Sequence, residues 1–156
     1  MADSKQHGKL MDSRIILFGL QSCKVHWLFL PQHVCLPLTI VMEKIIQING
    51  IAVYGHTLDH QTRCVHWHSA LDVIAIKFKC CNKYYPCHAC HEEHAGHPAI
   101  TWPVCEWDTK AILCGVCGSE LTIREYKTSG NTCPRCSAAF NPACIRHADL
   151  YFASEK

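Results

Sequence analysis

The 156-residue sequence lacks the features that mark several large functional classes. Its formal net charge is only +2, which argues against a strongly basic nucleic-acid wrapper and a strongly acidic tail protein. No uninterrupted apolar run reaches the length of a membrane span, and no glycine-rich phosphate loop or serine nucleophile elbow is present. The apolar fraction of 49% includes 13 cysteines, and about 40% remains without them. We therefore expect a thin hydrophobic core.

Cysteine and histidine are what the sequence has in excess. Twelve histidines accompany the 13 cysteines, and seven of the histidines lie between His66 and His147. An odd cysteine count leaves one thiol over in a full disulfide framework, and disulfides do not call for histidines. The spacing typical of zinc knuckles occurs at Cys87–Cys90, Cys114–Cys117, Cys133–Cys136 and Cys144–His147. The composition favours a zinc-stapled scaffold over a disulfide-linked one.

The strongest single pattern lies in the C-terminal half. It is Cys114-x2-Cys117-x15-Cys133-x2-Cys136, the spacing of a four-cysteine structural zinc site. Between the two knuckles we expect one strand and one turn, as in a zinc ribbon. A dithiol redox pair at Cys133 and Cys136 is the alternative, but the thioredoxin-like context that usually surrounds such a pair is not visible.

Eight further ligands lie upstream, and two tetrahedral ions require eight. Local spacing suggests that one ion is bound by Cys64, His66, Cys87 and Cys90. The other ion is then bound by Cys80, Cys81, His91 and His97. This partition stays open for two reasons. The predicted strand over Asp72–Cys80 would send the side chains of Cys80 and Cys81 to opposite faces unless it bends there. His94 is also close enough in sequence to replace His91 or His97. Otherwise we interpret His68, His88 and His94 as surface histidines or as supports for a ligand.

The same stretch matches three other known motifs in full or in part. Cys87-His-Ala-Cys90-His91 is a literal haem-attachment string, but the many surrounding thiols favour a zinc knuckle. The proline before Cys87 completes half of the zinc-deaminase signature, without the upstream His-x-Glu that supplies its acid–base glutamate. His91 and His94 are three residues apart, whereas the metalloprotease motif needs four. The sequence therefore does not predict an enzyme.

Both short strands and a short helix are predicted. Ile45–Tyr54 is typical of a hairpin closed by Asn49-Gly50 in a type I′ turn. Strands are predicted over Asp72–Cys80 and Leu121–Tyr126, and a short helix within His91–Pro98. The predicted fold class is a small metal-stapled α+β fold of zinc-knuckle and ribbon-like hairpins, with few short helices and three zinc sites.

Three segments are predicted along the chain. Residues 1–42 are interpreted as a weakly structured or mis-assigned N-terminal extension, 43–152 as the zinc-binding domain and 153–156 as a tail. Neither a secretory signal nor a mitochondrial presequence is indicated in the extension. Cys23, Cys35 and Cys105 are interpreted as ordinary free thiols.

With these residues in view, the chain resembles the CHY-type zinc finger family from about Tyr54 to Phe152. The resemblance is specific, because aromatic and Asn-Pro positions match as well as the ligands. It is carried by Cys64-Val-His66-Trp-His68, Tyr84-Tyr85-Pro86-Cys87, Cys90-His91-Glu92-Glu93, Trp102-Pro103, Cys133-Pro134, Phe140-Asn141-Pro142 and Leu150-Tyr151-Phe152. The family implies three zinc ions held by twelve ligands, which here are the residues assigned above.

Within that family the chain is similar to a small single-domain branch, which includes a fungal import helper of the mitochondrial intermembrane space and bacterial relatives. The resemblance implies a non-enzymatic protein-interaction module that assists the oxidative import of small cysteine-rich proteins by taking zinc from the import oxidoreductase. It places the protein in the intermembrane space of a eukaryote or the cytoplasm of a bacterium. No ubiquitin-ligase activity is expected, because too little sequence follows residue 147 for a RING domain.

Protein partners are expected, and neither nucleic acid nor a membrane span is. A nucleic-acid binder is disfavoured by the missing Lys/Arg stripe, although Trp67, Trp102 and Trp107 have rings able to stack on bases. The main alternative is a zinc-transfer or thiol–disulfide helper, with Cys133 and Cys136 or Cys144 and His147 as its labile pair.

Overall fold

The computed structural model describes residues 44–154. The predicted extension 1–42, with Cys23 and Cys35, lies outside the described residues, as do the last two residues of the predicted tail. The elements are β1 (Ile45–Ile48), β2 (Ile51–Tyr54), β3 (Ile74–Lys77), β4 (Tyr84–Tyr85), α1 (His88–His94), a 3-10 helix (Val104–Glu106), β5 (Lys110–Cys114), β6 (Glu120–Thr122), α2 (Ile123–Thr128) and a second 3-10 helix (Pro142–Leu150). None of the helices in this part of the chain has the length and apolar character to cross a membrane.

The six strands form one sheet in the order β1-β2-β4-β3-β5-β6. Neighbouring strands are antiparallel except β2 and β4, which pair in parallel through Val53 and Tyr84. Strand β3 lies inside the sheet, with Ile76 opposite both Tyr85 of β4 and Ile112 of β5. Short strands and short helices around Cys/His clusters confirm the predicted fold class.

The first hairpin forms as predicted. Asn49 and Gly50 have φ values of 50° and 80°, the positive values that a type I′ turn requires. Ile46 and Ile48 are buried while Ile45 is exposed, which is the alternation of a strand with one face in the core. The turn also reaches the C-terminal half, because Asn49 Nδ2 donates a 3.4 Å hydrogen bond to the carbonyl oxygen of Gly118.

Strand β3 is shorter than the predicted strand over Asp72–Cys80, and the chain turns immediately after it. Phe78 accepts a 2.8 Å backbone hydrogen bond from Asn82, whose φ is 57°. Cys80 and Cys81 therefore lie in a turn and not on a strand. The alternation that would send their side chains to opposite faces does not apply, so both thiols are free to face one ion.

Two predicted elements differ from the structure. The strand predicted over Leu121–Tyr126 is wrong beyond Thr122, where α2 begins with a reciprocal capping box. Thr122 Oγ1 accepts from Glu125 N at 3.0 Å, and Thr122 N donates to Glu125 Oε2 at 2.9 Å. The helix predicted within His91–Pro98 begins earlier, at His88, because Cys87 caps it with its thiol.

Thiols form a substantial part of the buried core. The larger core cluster packs aromatic side chains such as Trp107 and Phe140 around buried cysteines, namely Cys64, Cys87, Cys90, Cys114 and Cys133. A smaller cluster is formed by residues of the five strands β1 to β5, namely Ile46, Ile48, Val53, Ala75, Tyr84 and Leu113. The centre of the molecule is thus built partly from groups whose preferred partner is a metal ion.

Candidate metal centres

The first candidate centre, called site 1, contains Cys64, His66, Cys87 and Cys90, whose donor atoms all lie within 4.8 Å of one another. The sulfurs of Cys64 and Cys87 are 3.7 Å apart. His66 Nδ1 lies 3.6 Å from the sulfur of Cys87 and 3.4 Å from that of Cys90. The sequence partition predicted this group of four.

Local structure fixes the donors of site 1. Cys87 is the N-cap of α1, and its sulfur accepts a 3.4 Å hydrogen bond from Cys90 N. The sulfur of Cys64 accepts a 3.4 Å hydrogen bond from Trp67 N. The second nitrogen of His66, Nε2, lies 3.1 Å from Glu93 Oε1, so a carboxylate orients the ring while Nδ1 faces the thiols.

Site 2 brings together Cys80, Cys81, His91 and His97, again within 4.8 Å. The two sulfurs are 4.0 Å apart, and Cys80 lies 3.1 Å from His91 Nε2. His91 is fully buried and stacks on Phe78 with ring centroids 4.0 Å apart. Burial lowers the pKa of His91 to about 4, which keeps its imidazole in the neutral form that binds metals. His94 does not belong to this group.

Site 3 joins the two C-terminal knuckles. Its sulfurs approach in crossed pairs, Cys114 with Cys136 at 3.8 Å and Cys117 with Cys133 at 3.9 Å. All four sulfurs lie within 4.8 Å of one another. The structure therefore brings together the four cysteines that the spacing predicted to share one ion.

The two knuckles of site 3 have the same backbone pattern. In the first, Cys114 N donates to Ser119 O at 3.0 Å, and Gly118 N donates to Cys114 O at 2.8 Å. In the second, Cys133 N donates to Ala138 O at 2.8 Å, and Ser137 N donates to Cys133 O at 2.9 Å. Gly118 and Ser137 occupy equivalent positions, with φ values of 69° and 61°. Between the knuckles the chain contains α2 in addition to the expected strand and turn.

The distances fit tetrahedral metal coordination. With Zn–S bonds of about 2.3 Å, tetrahedral geometry puts two sulfurs about 3.8 Å apart and a sulfur about 3.5 Å from an imidazole nitrogen. The closest sulfur–sulfur distances in the three groups range from 3.7 to 4.0 Å. A disulfide would require about 2.05 Å, and every cysteine of the described residues is a free thiol. The donor sets therefore fit zinc and do not fit cystine bridges.

Electrostatics in the clusters makes metal binding a proton-releasing reaction. Hydrogen bonds with Cys87 and Cys90 lower the pKa of Cys64, and the contact with Cys64 in turn raises the pKa of both partners. Burial raises the pKa of Cys114. Because zinc binds thiolates, an ion must displace protons from the raised groups, so affinity falls as the pH falls.

Cys117 differs from the other thiols. Burial opposes its ionisation, but hydrogen bonds from the side chain and backbone of Ser119 lower its pKa to about 7. Its neighbour in site 3, Cys136, is exposed to solvent. Contacts with Cys117 and Cys133 raise the pKa of Cys136, so the most accessible thiol of site 3 is not the one that ionises most readily.

The remaining predicted candidates lie outside the three groups. Cys144 packs against the core, and burial, with a smaller contribution from Asp72, raises its pKa to about 11. His147 contacts Trp67, with ring centroids 5.7 Å apart. Among residues 44–154, neither belongs to a metal-binding group. Cys105 and His68 are exposed, and His88 Nδ1 lies 3.2 Å from Glu92 Oε2.

One further group was not predicted. His56, Glu93 and His94 place three donor atoms within 4.8 Å of one another. His56 is 37 residues from Glu93 in the chain, so no local spacing signals the group. Only the packing of α1 beside the end of β2 brings these residues together.

Comparison with known proteins agrees with this geometry. The family model described as CHY zinc finger matches residues 64–142, a range that begins at the first residue of site 1. Helper of Tim protein 13 of Saccharomyces cerevisiae is 50% identical over 104 residues, which cover 65% of this chain and 90% of that protein. Helper of Tim protein 13 of Kluyveromyces lactis is 42% identical over 103 residues, covering 66% and 90%.

An uncharacterized protein of Schizosaccharomyces pombe is 40% identical over 100 residues, or 64% of this chain and 88% of that protein. No solved structure matches. The family model covers half of the chain, and the yeast relatives are matched over most of their length. The chain therefore belongs to the CHY zinc finger family.

Proposed function

We propose that this protein is a non-enzymatic zinc-binding module that acts through protein contacts and holds three zinc ions per chain. The observation that carries the proposal is the set of three four-donor groups with tetrahedral spacing. Four protein donors close a coordination sphere, which is typical of structural rather than catalytic zinc. In this proposal residues 43–152 are the zinc-binding domain, folded around its ions.

Metal content tests the first part of the proposal. Native mass spectrometry of the purified full chain is expected to show three zinc ions. Removing them with a strong chelator should abolish the near-UV circular dichroism signal and the thermal transition, because a structural zinc contributes about 10–16 kcal/mol to folding in zinc-finger peptides. Metal-free protein with its thiols joined as cystines would contradict the proposal.

For its biological role, we propose that the protein assists Tim proteins of the mitochondrial intermembrane space. Two relatives that the chain matches over 90% of their length are named helpers of Tim proteins. The partner class that we propose is the small cysteine-rich Tim proteins, and the step that we propose this protein assists is their oxidative import.

Replacement in yeast tests that role. Expressed in a Saccharomyces cerevisiae strain lacking its own Helper of Tim protein 13, this chain should restore the steady-state level of assembled Tim complexes. A Cys114→Ser variant should fail, and a Cys105→Ser variant should succeed, because Cys105 is exposed and lies outside the metal groups found among residues 44–154. Zinc-loaded protein that accumulates in mitochondria without restoring the complexes would contradict the role.

A second candidate function is zinc exchange with a partner through site 3. It is favoured by the solvent exposure of Cys136, which leaves one thiol of site 3 open to an incoming ligand. In such an exchange the zinc ion moves between thiolates of the partner and those of site 3, with no change of oxidation state. Timed alkylation of the zinc-loaded protein should modify Cys136 and Cys117 before the cysteines of site 1. Equal rates at both sites would contradict this candidate.

A further inference from the structure

The group formed by His56, Glu93 and His94 differs in chemistry from sites 1 to 3. Its donors are two imidazoles and one carboxylate, with no thiol. His56 follows β2, and the other two residues lie in the last turn of α1. Two histidines and a carboxylate form a donor set that proteins use for zinc sites with an open position.

One shielded ring nitrogen of the partly buried His94 points to a missing partner. Its Nε2 atom is shielded from solvent and has no hydrogen-bond partner among the described residues. The rings of His56 and His94 are 4.5 Å apart between centroids and inclined by 59°, so they do not stack face to face. Buried ring nitrogens normally have a partner, and a bound cation would supply one.

Glu93 connects this group to site 1. Its Oε1 faces His66 Nε2 at 3.1 Å, and the side chain is about half exposed to solvent. A carboxylate has two oxygens, so one can orient His66 while the other binds a second cation. The two cations would then be linked through the contact between Glu93 and His66, because Glu93 would bind the second cation and orient a ligand of the first.

From these observations we propose a fourth metal site at His56, Glu93 and His94, which binds one Zn²⁺ with an open coordination position and exchanges it more readily than the thiolate sites. The inference rests on the proposed zinc-loaded fold, because α1 must be held by sites 1 and 2 to present Glu93 and His94. Three protein donors bind more weakly than four, and the partial exposure of the group gives the ion a route to solvent.

The test begins with tag-free, full-length protein that has been desalted and whose bound zinc has been counted by native mass spectrometry. Three zinc ions at this stage support the proposed function by themselves. Zinc is then titrated back, and one additional ion is expected to bind and to be removed by a weak chelator that leaves the first three in place. Three ions without a fourth would overturn this inference while leaving the proposed function intact.

Variants assign the additional ion, because residues 1–43 also contain histidines and cysteines. His56→Ala and His94→Ala should each abolish the fourth ion and retain the first three. His60→Ala is the matched control, since His60 is exposed and outside every metal group, and should retain all four. A fourth ion that persists in both His56→Ala and His94→Ala would overturn the assignment.

Two measurements on the unmodified chain remain decisive if a variant loses its structural zinc. Cobalt added to the three-zinc protein should give weak ligand-field bands and no thiolate-to-cobalt charge-transfer band, because the proposed site contains no thiol. A charge-transfer band from the added cobalt would overturn the site. In nitrogen-15 spectra the ring nitrogens of His56 and His94 should shift with the fourth equivalent of zinc. Unchanged shifts for both rings would equally overturn the proposal.

Discussion

The paired sites 1 and 2 and the separate site 3 show two ways of building a metal-stapled fold. Site 3 takes its ligands from two consecutive knuckles with the same backbone hydrogen bonds. In sites 1 and 2 the ligands alternate along the chain, so that the turn carrying Cys80 and Cys81 lies between the two halves of site 1. In the zinc-loaded protein that we propose, both ions together would organise the region around α1.

Helix α1 is the element that joins the paired sites. Cys87 caps the helix and Cys90 lies in its first turn, and both belong to site 1. His91, the next residue, belongs to site 2 and is held between Phe78 and Tyr85. A helix of seven residues has little stability of its own, so it depends on these contacts. Loss of either ion should release the ligands of the other.

The largest expected effect follows from the dependence of sites 1 and 2 on the same helix, α1. Cys90→Ser should reduce the zinc content from three ions to one, because unfolding of α1 removes His91 from site 2 as well. Cys136→Ser should reduce it only from three to two, since Cys136 is exposed at the edge of site 3. A structural zinc contributes about 10–16 kcal/mol, against a net stability of about 5–15 kcal/mol for a whole domain. Native mass spectrometry and near-UV circular dichroism measure both changes.

Cys105→Ser is the control for this pair, because Cys105 is exposed and belongs to none of the metal groups in the described part of the chain. It should retain all three ions and the thermal transition. A Cys90→Ser protein that loses a single ion and keeps the near-UV signal would show that sites 1 and 2 are independent. The contrast between the two regions would then be wrong.

The same contrast explains what the sequence could predict. Site 3 is local, so the spacing of Cys114, Cys117, Cys133 and Cys136 is enough to group its ligands. The hairpin at Asn49-Gly50 is local too, because positive φ values suit these two residues. The ligand sets of sites 1 and 2 follow only from counting donors and from their proximity in the chain, and the structure brings the same sets together.

Other features depend on competition between local signals or on tertiary packing. The alternation over Leu121–Tyr126 resembles a strand, but the capping box of Thr122 and Glu125 starts a helix there, and that four-residue signal was present in the sequence. The positive φ of Asn82 turns the chain after Phe78 and places Cys80 and Cys81 together. The meeting of His56 with Glu93 and His94 depends on long-range packing that no spacing encodes.

A glycine at the boundary between the regions gives the next prediction. A Cβ atom on Gly115, inside the first knuckle of site 3, would overlap the backbone carbonyl of Gln61. Gly115→Ala should therefore force the loop around Gln61 away from the knuckle and destabilise the zinc-loaded protein by about 1–3 kcal/mol, as in other overpacked sites. Thermal unfolding at constant zinc measures this cost.

Gly130→Ala is the comparison variant for Gly115→Ala, because it tests the cost of a strained backbone without a steric clash. Gly130 has a φ of 61°, and no atom of residues 44–154 lies within 4 Å of the position that a Cβ atom would take there, so only the left-handed backbone penalty of about 1–2 kcal/mol applies. Gly115 has no such φ penalty, so its effect is contact alone. Loss of zinc from site 3 in Gly115→Ala but not in Gly130→Ala would show that the close contact at Gly115 supports site 3. If Gly115→Ala leaves the stability unchanged, the two regions are not in tight packing contact at this position.

The smallest expected effect comes from a polar contact across the sheet that joins the regions. Glu120 Oε1 on β6 accepts a 2.6 Å hydrogen bond from the Tyr84 hydroxyl on β4 and lies 3.3 Å from Lys77 Nζ on β3. Burial opposes ionisation of the carboxyl, but Tyr84 and Lys77 lower its pKa below the ordinary value of a glutamate. Since the group is partly exposed, Glu120→Gln should cost only about 0.2–1 kcal/mol and leave the zinc content unchanged.

The pH dependence of that small effect follows from its sign. A carboxyl with a lower pKa in the folded state than in the unfolded state stabilises the fold above the unfolded pKa, and this contribution is lost as the pH falls through the folded pKa. The difference in melting temperature between the wild type and Glu120→Gln should therefore stay constant from about pH 7 down to about pH 5.5. Metal release, by contrast, begins as thiolates are protonated, so the absolute stability of both proteins should fall over the same range. If the difference in melting temperature shrinks between about pH 7 and about pH 6, Glu120 is coupled to the metal sites. The sheet would then transmit the effect of metal loss from one region to the other.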